Sequence, residues 1–365
     1  MKFALVTTNL RGGGAEKAMC KLASLLAGRG HEAHIILLEH LLEHPVPEGV
    51  RLSALTRPGQ AASKGFIGKR WLALRLRSHV ARLTSPQPFD LILSTLPFAD
   101  EVSKLARLPR LWHRIANTLS AEVEKLALHS PAKAARRLEK YRKLYDRARL
   151  VAVSDGVADD LRQMNIAAQR IERVYSPFDR AALKRQAAEH AELPTELTTF
   201  PYLLHVGRHA PQKRHDLLLD AFATLPPSHR LVLLCHDDAS LQGMIRERGL
   251  AGRVLVAGFL PNPYPWMARA DLLVLCSDHE GMPNVLVEAL LLGTPVVSTD
   301  CPSGPREVLR DGACGVLVPC GDAAALANAM REALAGENLA LRFDSTPFLP
   351  DAIAAQLERL AAGAD

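Results

Sequence analysis

Two glutamates separated by seven residues, Glu280 and Glu288, flank a glycine and a proline in Ser277-Asp-His-Glu280-Gly281-Met-Pro283-Asn284-Val285-Leu286-Val-Glu288-Ala. Pro283 suits the first position of a helix, because its ring presets φ and it has no N–H to leave unpaired. Gly293 followed by Pro295 is a stop signal for that helix. The expected opening turn runs from Pro283 to Leu286, and the amides of Asn284, Val285 and Leu286 then lack an intrahelical acceptor. With the helix dipole they form a seat for a phosphate, and Gly281 lets a ligand come close to backbone. A carboxylate beside that seat repels phosphate but accepts hydrogen bonds from sugar hydroxyls. An anion bonded to sugars, such as a nucleotide-sugar, meets both requirements. The plain alternative is a pair of solvated charges at a helix end.

The pattern Ser-x-x-Glu-Gly-x-Pro-x-x-x-x-Glu-Ala, followed by Gly-x-Pro-Val-Val, resembles the signature of retaining glycosyltransferases of the GT-B fold, family four. The resemblance implies a hexosyltransferase of α/β class. Its two Rossmann-like domains face each other across a cleft, the C-terminal one holding the donor and the N-terminal one the acceptor. In Gly207-Arg208-His-Ala-Pro-Gln-Lys213-Arg214, it implies that Arg208 and Lys213 bind the donor diphosphate. The chemistry suits them: a departing diphosphate needs cations, Arg offers a planar fork and Lys a point charge. Glu280 would then take hydroxyls of the transferred sugar and Glu288 those of the ribose. Gly13, Gly14 and Glu16, in a Gly-Gly-Ala-Glu loop after the first strand, would face the acceptor. His113, near the end of a buried strand, would contact the transferred sugar; the other reading is a hydrogen-bonded core histidine. Ser154 would help close the cleft, or simply cap a helix. Retention follows from the resemblance alone. Front-face attack needs no protein nucleophile, and double displacement through Glu280 is the alternative.

The chain departs from the family pattern at named places. Arg214 stands where a glycine is usual, and His236-Asp237-Asp238 where a Gly-x-Gly turn is more common. Ser176 replaces asparagine in the Asn-Pro-x-Asp segment that ends the first domain. Ser303-Gly304-Pro-Arg306-Glu307 resembles a subset that moves galactose or N-acetylhexosamine onto lipid-linked glycans.

These residues need elements to hold them. Apolar runs at 2–8, 33–38, 90–94, 111–115 and 150–153 read as buried strands alternating with helices, which implies a parallel sheet covered on both faces. Ligands of such sheets bind at the carboxyl ends of strands, where the glycine loop at 12–14 lies. A second series begins with 202–206 and continues through 231–235, 254–258, 272–276 and 296–299. Backbone groups at 254–258 with Phe259 would form the edge that reads a nucleotide base. The expected domains are 1–178, 179–345 and a tail, 346–365, whose helix returns to the first domain.

Length and composition fit two full cores: 365 residues, 48% of them apolar. Residues 1–190 hold 32 Lys and Arg against 18 Asp and Glu, a formal +14, whereas 191–365 hold 13 against 21, a formal −8. The first half therefore calls for an anionic partner. Nucleic acid is disfavoured by the absence of interleaved aromatics or a recognised motif. An anionic membrane surface or a polyprenyl-diphosphate-linked saccharide acceptor is preferred. The helical stretch 64–82, basic and with Phe66, Ile67, Trp71 and Leu74, has the composition of a membrane-interface helix or of a surface helix packed on its domain. The apolar run at 1–6 is too short for a signal peptide, and no run approaches 18 uncharged apolar residues. A cytoplasmic protein peripheral to the inner face of the plasma membrane is expected. The six cysteines show no C-x-x-C pair and read as reduced and structural. No Asp-x-Asp offers to hold a divalent metal and no cofactor is expected.

Three rivals remain. A same-fold epimerase or hydrolase needs no acceptor. An NAD-dependent oxidoreductase would use the first glycine loop with Glu39 as the ribose acid, but Lys17 occupies the place of the third glycine. A non-catalytic basic protein would bind membranes without turnover.

Overall fold

Short runs of Leu, Val and Ile become the central strands. In the computed structural model, which describes residues 1–11, 13–84, 86–190, 194, 197 and 200–363, the chain divides into two units, 1–177 with 346–365, and 178–345.

The first unit holds a seven-stranded parallel sheet in the order β3-β2-β1-β4-β5-β6-β7. Its strands are β1 (Lys2–Thr7), β2 (Glu32–Leu37), β3 (Val50–Ala54), β4 (Leu91–Thr95), β5 (Leu111–Ile115), β6 (Arg149–Ala152) and β7 (Arg170–Arg173). β1 and β4 are neighbours, with Phe3 opposite Leu91 and Val6 opposite Ser94. The chain order reverses between them, which is where ligands enter such sheets. The edge strands β3 and β7 were not expected from the sequence. Val50-Arg-Leu-Ser-Ala and Arg170-Ile-Glu-Arg have polar residues on their half-exposed positions, so neither shows the buried apolar run of a central strand. The helix Phe66–Leu83 buries Leu72, Ala73, Leu76 and Val80 in the core above β4 and leaves Phe66, Ile67, Trp71 and Leu74 exposed. The terminal helix Pro350–Ala362 belongs to this unit. It buries Ile353, Ala354 and Leu357 and is tied by Glu358 to Arg29 (2.9 Å) and to His31 (2.8 Å).

The second unit repeats the plan with six parallel strands in the order β10-β9-β8-β11-β12-β13. These are β8 (Tyr202–Val206), β9 (Arg230–Leu234), β10 (Val254–Val256), β11 (Leu272–Leu275), β12 (Val296–Thr299) and β13 (Val316–Val318). Here the order reverses between β8 and β11, which pair through Leu203–Leu272 and Leu204–Leu273. The loops that follow β8 and β11 are thus brought together although 67 residues separate Lys213 from Glu280. The core beneath them joins Leu203, Phe222, Leu231, Leu272, Val274 and Met330.

Candidate active site

In the second unit the loop after β11 carries Glu280 and leads into the helix Asn284–Leu292. That helix is apolar nearly all round and buries Leu286, Val287, Ala289 and Leu290, so it is held by packing rather than by surface charge. It ends at Gly293 in the left-handed conformation (φ 85°), with the Gly293 and Thr294 amides closing on Leu290 and Ala289. Pro283 is the residue before the helix and not its first member. Its carbonyl accepts from the Leu286 amide at 3.0 Å, so Leu286 is corrected as a phosphate donor: a tightened first turn has already satisfied it. Asn284 and Val285 remain as the first-turn amides.

Three loops converge on this turn. Gln212, after β8, accepts from the Asp278 amide (2.9 Å) and donates its side-chain amide to the His279 carbonyl (2.5 Å). The Glu280 amide donates to the Pro302 carbonyl, after β12, at 3.3 Å. Gly304 follows in a left-handed conformation (φ 94°), where a side chain would overlap Pro283 and come within 3.1 Å of the Gly281 carbonyl. The Ser-Gly-Pro segment is therefore glycine-bearing for a steric reason.

Lys213 ends a short 3-10 turn, Pro211–Lys213, and reaches Glu280 with Nζ 2.6 Å from Oε1. Both side chains are largely covered. The Cys276 thiol donates to the Lys213 carbonyl (3.1 Å) and the Arg214 carbonyl (3.4 Å), and burial pushes its pKa up to about 12, so it acts as a clasp for the turn. Gly207 lets the lysine stem pass, since a β-carbon there would sit 3.4 Å from Lys213 Cε and from His205 Nε2. Arg208 is exposed and has no carboxylate partner among the described residues. Arg214, with φ 50°, instead forks onto Asp216 (3.0 Å) and Asp278 (3.0 Å), which spends its charge within the protein.

Glu288 lies on the buried side of the helix, 5% exposed, and its Oε1 accepts from the Tyr264 hydroxyl at 3.0 Å. Burial, and then the adjacent carboxylate, raise the Tyr264 pKa well above its usual value, so the hydroxyl stays a donor. The sequence offered no sign of Tyr264, 24 residues upstream of the glutamate it orients. Phe259 is 57% exposed and stacks on His236 with ring centres 5.8 Å apart. The His236-Asp237-Asp238 departure also has a local purpose: Asp238 caps the next helix through the Leu241 amide (2.9 Å) and holds His209 (2.6 Å).

In the first unit, Gly13 precedes the helix Gly14–Gly28, and the flexible Glu16 side chain folds its carboxylate back onto it. Gly14 meets nothing within 4 Å of a hypothetical β-carbon. Gly12 lies outside the described residues. Glu39 is buried and both its oxygens are taken, by the Asn9 side-chain amide (2.8 Å) and the Ala62 amide (3.1 Å). It is a loop brace, which removes the ribose acid that the dinucleotide reading required.

His113 lies in β5. It is 2% exposed and held at Nδ1 by Ser94 (2.7 Å) and Asp100 (3.2 Å), and Asp100 also accepts from Tyr145 (2.9 Å). That network fixes the ring through Nδ1. Its neighbour Arg114, on the opposite face of β5, is fully buried and donates to Ser176 at 3.1 Å, and burial pushes its pKa down to about 10. Ser176 is the residue that replaces asparagine in the Asn-Pro-x-Asp pattern. Ser154 accepts from the Val157 amide at 3.1 Å and caps its helix.

The site can therefore do the following. Lys213 and the first turn at Asn284 bring positive charge to one place beside Glu280, and Glu288 is a fixed acceptor further along the same helix. Among the described residues no three metal-ligating side chains gather.

Comparison with known proteins bears on the family and the fold. The family model described as Glycosyltransferase Family 4 matches residues 12–182, and that for Glycosyl transferases group 1 matches 200–336. The Campylobacter jejuni N-acetylgalactosamine-N,N'-diacetylbacillosaminyl-diphospho-undecaprenol 4-alpha-N-acetylgalactosaminyltransferase is 28% identical over 87% of this chain and 86% of that protein. The Rhizobium meliloti lipopolysaccharide core biosynthesis glycosyltransferase LpsE is 32% identical over 53% of this chain and 56% of its own. Among solved structures, Anabaena HepE in complex with UDP and glucose superposes with a TM-score of 0.75 at 22% identity, covering 99% of this chain and 100% of that one. WaaG, a glycosyltransferase involved in lipopolysaccharide biosynthesis, gives 0.71 at 19% identity, covering 98% of each.

Proposed function

Since the chain belongs to glycosyltransferase family 4 and has the GT-B fold, we propose that it moves a hexose or N-acetylhexosamine, with retention, from a UDP-sugar to a saccharide carried on a polyprenyl diphosphate. The observation that carries this reading is the meeting of Lys213, Glu280 and the Asn284 turn at one strand-order reversal. UDP in the HepE complex and the diphospho-undecaprenol acceptor in the Campylobacter enzyme's name supply the donor and acceptor classes.

In this reading the donor diphosphate rests on the Asn284 and Val285 amides, with Arg208 and Lys213 stabilising the charge that develops on it as the sugar leaves. Glu280 holds hydroxyls of the transferred sugar, Glu288 those of the ribose, and Gly281 admits the sugar to backbone. The edge at Phe259 reads the base. The acceptor approaches Gly13, Gly14 and Glu16. The acceptor hydroxyl attacks the anomeric carbon on the face the diphosphate leaves, and a departing phosphate oxygen takes its proton. Glu280, engaged sideways with sugar hydroxyls and with Lys213, is poorly aimed for nucleophilic attack.

No helix among the described residues is long and apolar enough to cross a membrane. The proposed place of action is the cytoplasmic face of the plasma membrane, reached through the basic first unit, in bacterial surface-glycan synthesis. The test is incubation with labelled UDP-sugars and a polyprenyl-diphosphate-sugar, followed by mass spectrometry. A sugar-mass gain on the lipid supports transfer. Free sugar and UDP without that gain would favour hydrolysis, and a changed UDP-sugar would favour epimerisation.

A further inference from the structure

In the first unit, three helices, Phe66–Leu83, Pro97–Leu105 and Pro131–Tyr145, enclose a groove of about 1160 Å³. The first contributes Arg70 and Arg77, the second and its following turn Lys104 and Arg107, and the third Arg136, Lys140 and Lys143. The floor is aliphatic, with Ala73, Leu74, Leu105 and Leu144. Among the described residues two carboxylates line it, and both are engaged: Glu101 with Lys69 (2.8 Å) and Lys140 (3.0 Å), and Glu139 with Lys143 (3.1 Å). Arg70, Arg77, Arg107 and Arg136 have no carboxylate partner among the described residues. Four guanidinium groups gathered around a concave apolar floor repel one another unless an anion joins them.

The rim says which anion. Phe66, Ile67, Trp71 and Leu74 form one row along the first helix and are 71%, 82%, 53% and 68% exposed. Arg70 lies over the Phe66 ring at 4.4 Å and Arg75 over Trp71 at 4.6 Å, so the apolar row and the cations interleave. Leu74 belongs to both the row and the groove. An exposed apolar ridge edged with arginines is the arrangement of an interfacial helix. An aliphatic floor suits an acyl chain, whereas single-stranded nucleic acid asks for open aromatic faces.

We propose that this groove seats the phosphate of an anionic phospholipid of a bilayer, while Phe66, Ile67, Trp71 and Leu74 enter the acyl boundary. The site rests on the peripheral membrane attachment proposed above and gives it a location and a headgroup chemistry; it does not depend on the transfer reaction.

The test uses the full chain and sedimentation with vesicles of phosphatidylcholine alone, or of phosphatidylcholine and phosphatidylglycerol in equal parts. Binding is expected only to the anionic vesicles. Changing Arg77, Arg107 and Arg136 together to Ala should weaken it on the order of a hundredfold at low salt. Changing Arg57, Lys125 and Arg162 to Ala removes the same charge elsewhere on this unit and should leave most of the binding. Trp71→Ser should weaken binding while preserving its need for phosphatidylglycerol. Equal loss in the two triple variants, no loss in the groove variant, equal binding to neutral vesicles, or binding to RNA in place of vesicles would each overturn the proposal. Sugar transfer to a water-soluble acceptor should be unchanged in the groove variant, so failure of this site and failure of the transferase reading are seen separately.

Discussion

The ammonium of Lys213 lies 2.6 Å from the carboxylate of Glu280, and each is the other's charge partner at the ends of two adjacent strands. A donor diphosphate arriving beside them must share the lysine, so the pair holds both side chains in place before the substrate is present. Removing the lysine alone leaves a largely covered carboxylate without its cation. Lys213→Ala is expected to lower stability by about 3 kcal/mol, and the double variant with Glu280→Ala by less than the sum of the two singles. Urea unfolding of the four proteins checks this, and strict additivity would show that the pair is not coupled.

The two glutamates should separate kinetically. Glu280→Ala is expected to reduce kcat while leaving UDP affinity nearly intact, and Glu288→Ala to weaken UDP. Tyr264→Phe removes the hydroxyl that orients Glu288 and should raise the Kd for UDP about tenfold, with kcat little changed. Calorimetric titration with UDP beside steady-state kinetics reads both effects; the same UDP affinity in all three variants would sink the division of roles.

Gly304 and Gly293 both have positive φ, but only at Gly304 would a side chain strike a neighbour, Pro283. Each Gly→Ala change should cost about 1 kcal/mol for the backbone conformation alone. Gly304→Ala should cost more and also reduce kcat/KM, because its relief moves the turn that carries Glu280. Thermal melting and kinetics of the two variants side by side give the comparison, and equal behaviour would mean that the turn tolerates displacement.

Acid should loosen the second unit through His205. This imidazole is fully buried, donates Nδ1–H to the Val274 carbonyl at 2.9 Å, and lies edge-on to His215 with centres 4.7 Å apart. His209, Lys213 and Asp216 complete the charged surroundings of the pair. Burial holds the His205 pKa down to about 4, despite the bond to Val274. The unfolded chain, with a pKa of about 6.5, takes up a proton that the folded state refuses. The contribution of neutral His205 is therefore complete above about pH 6.5, falls as pH drops toward 4, and changes no further below that. The loss is on the order of 3 kcal/mol. Urea midpoints measured across this range for the parent and for His205→Phe should converge at low pH relative to their difference at neutrality. Parallel curves would assign the acid sensitivity elsewhere.

Much of this was legible along the chain. Central strands announce themselves because both faces are buried and their residues are apolar without interruption, as in Leu272–Leu275. The Asn284–Leu292 helix is bounded by Pro283 and Gly293, whose own backbone chemistry starts and stops it, and spacing alone puts Glu280 in the loop before it and Glu288 within it. The charge imbalance between the halves is likewise a property of composition. The edge strands Val50–Ala54 and Arg170–Arg173 were not legible, since half-exposed positions take polar residues and lose the signal.

What tertiary structure decided is which groups meet. The sequence by itself determined the element types, the family motif and the spacing of its two glutamates, because these depend on near neighbours. The pairing of Lys213 with Glu280, the hold of Tyr264 on Glu288, the clasp by Cys276 and the seat of Gly304 against Pro283 all follow from placing β8 beside β11 and β11 beside β12. The same packing fixed His113 through Ser94 and spent Arg214 on two aspartates. A side chain's partner is set by strand order and register, which join residues far apart in the chain, and no local spacing encodes that distance.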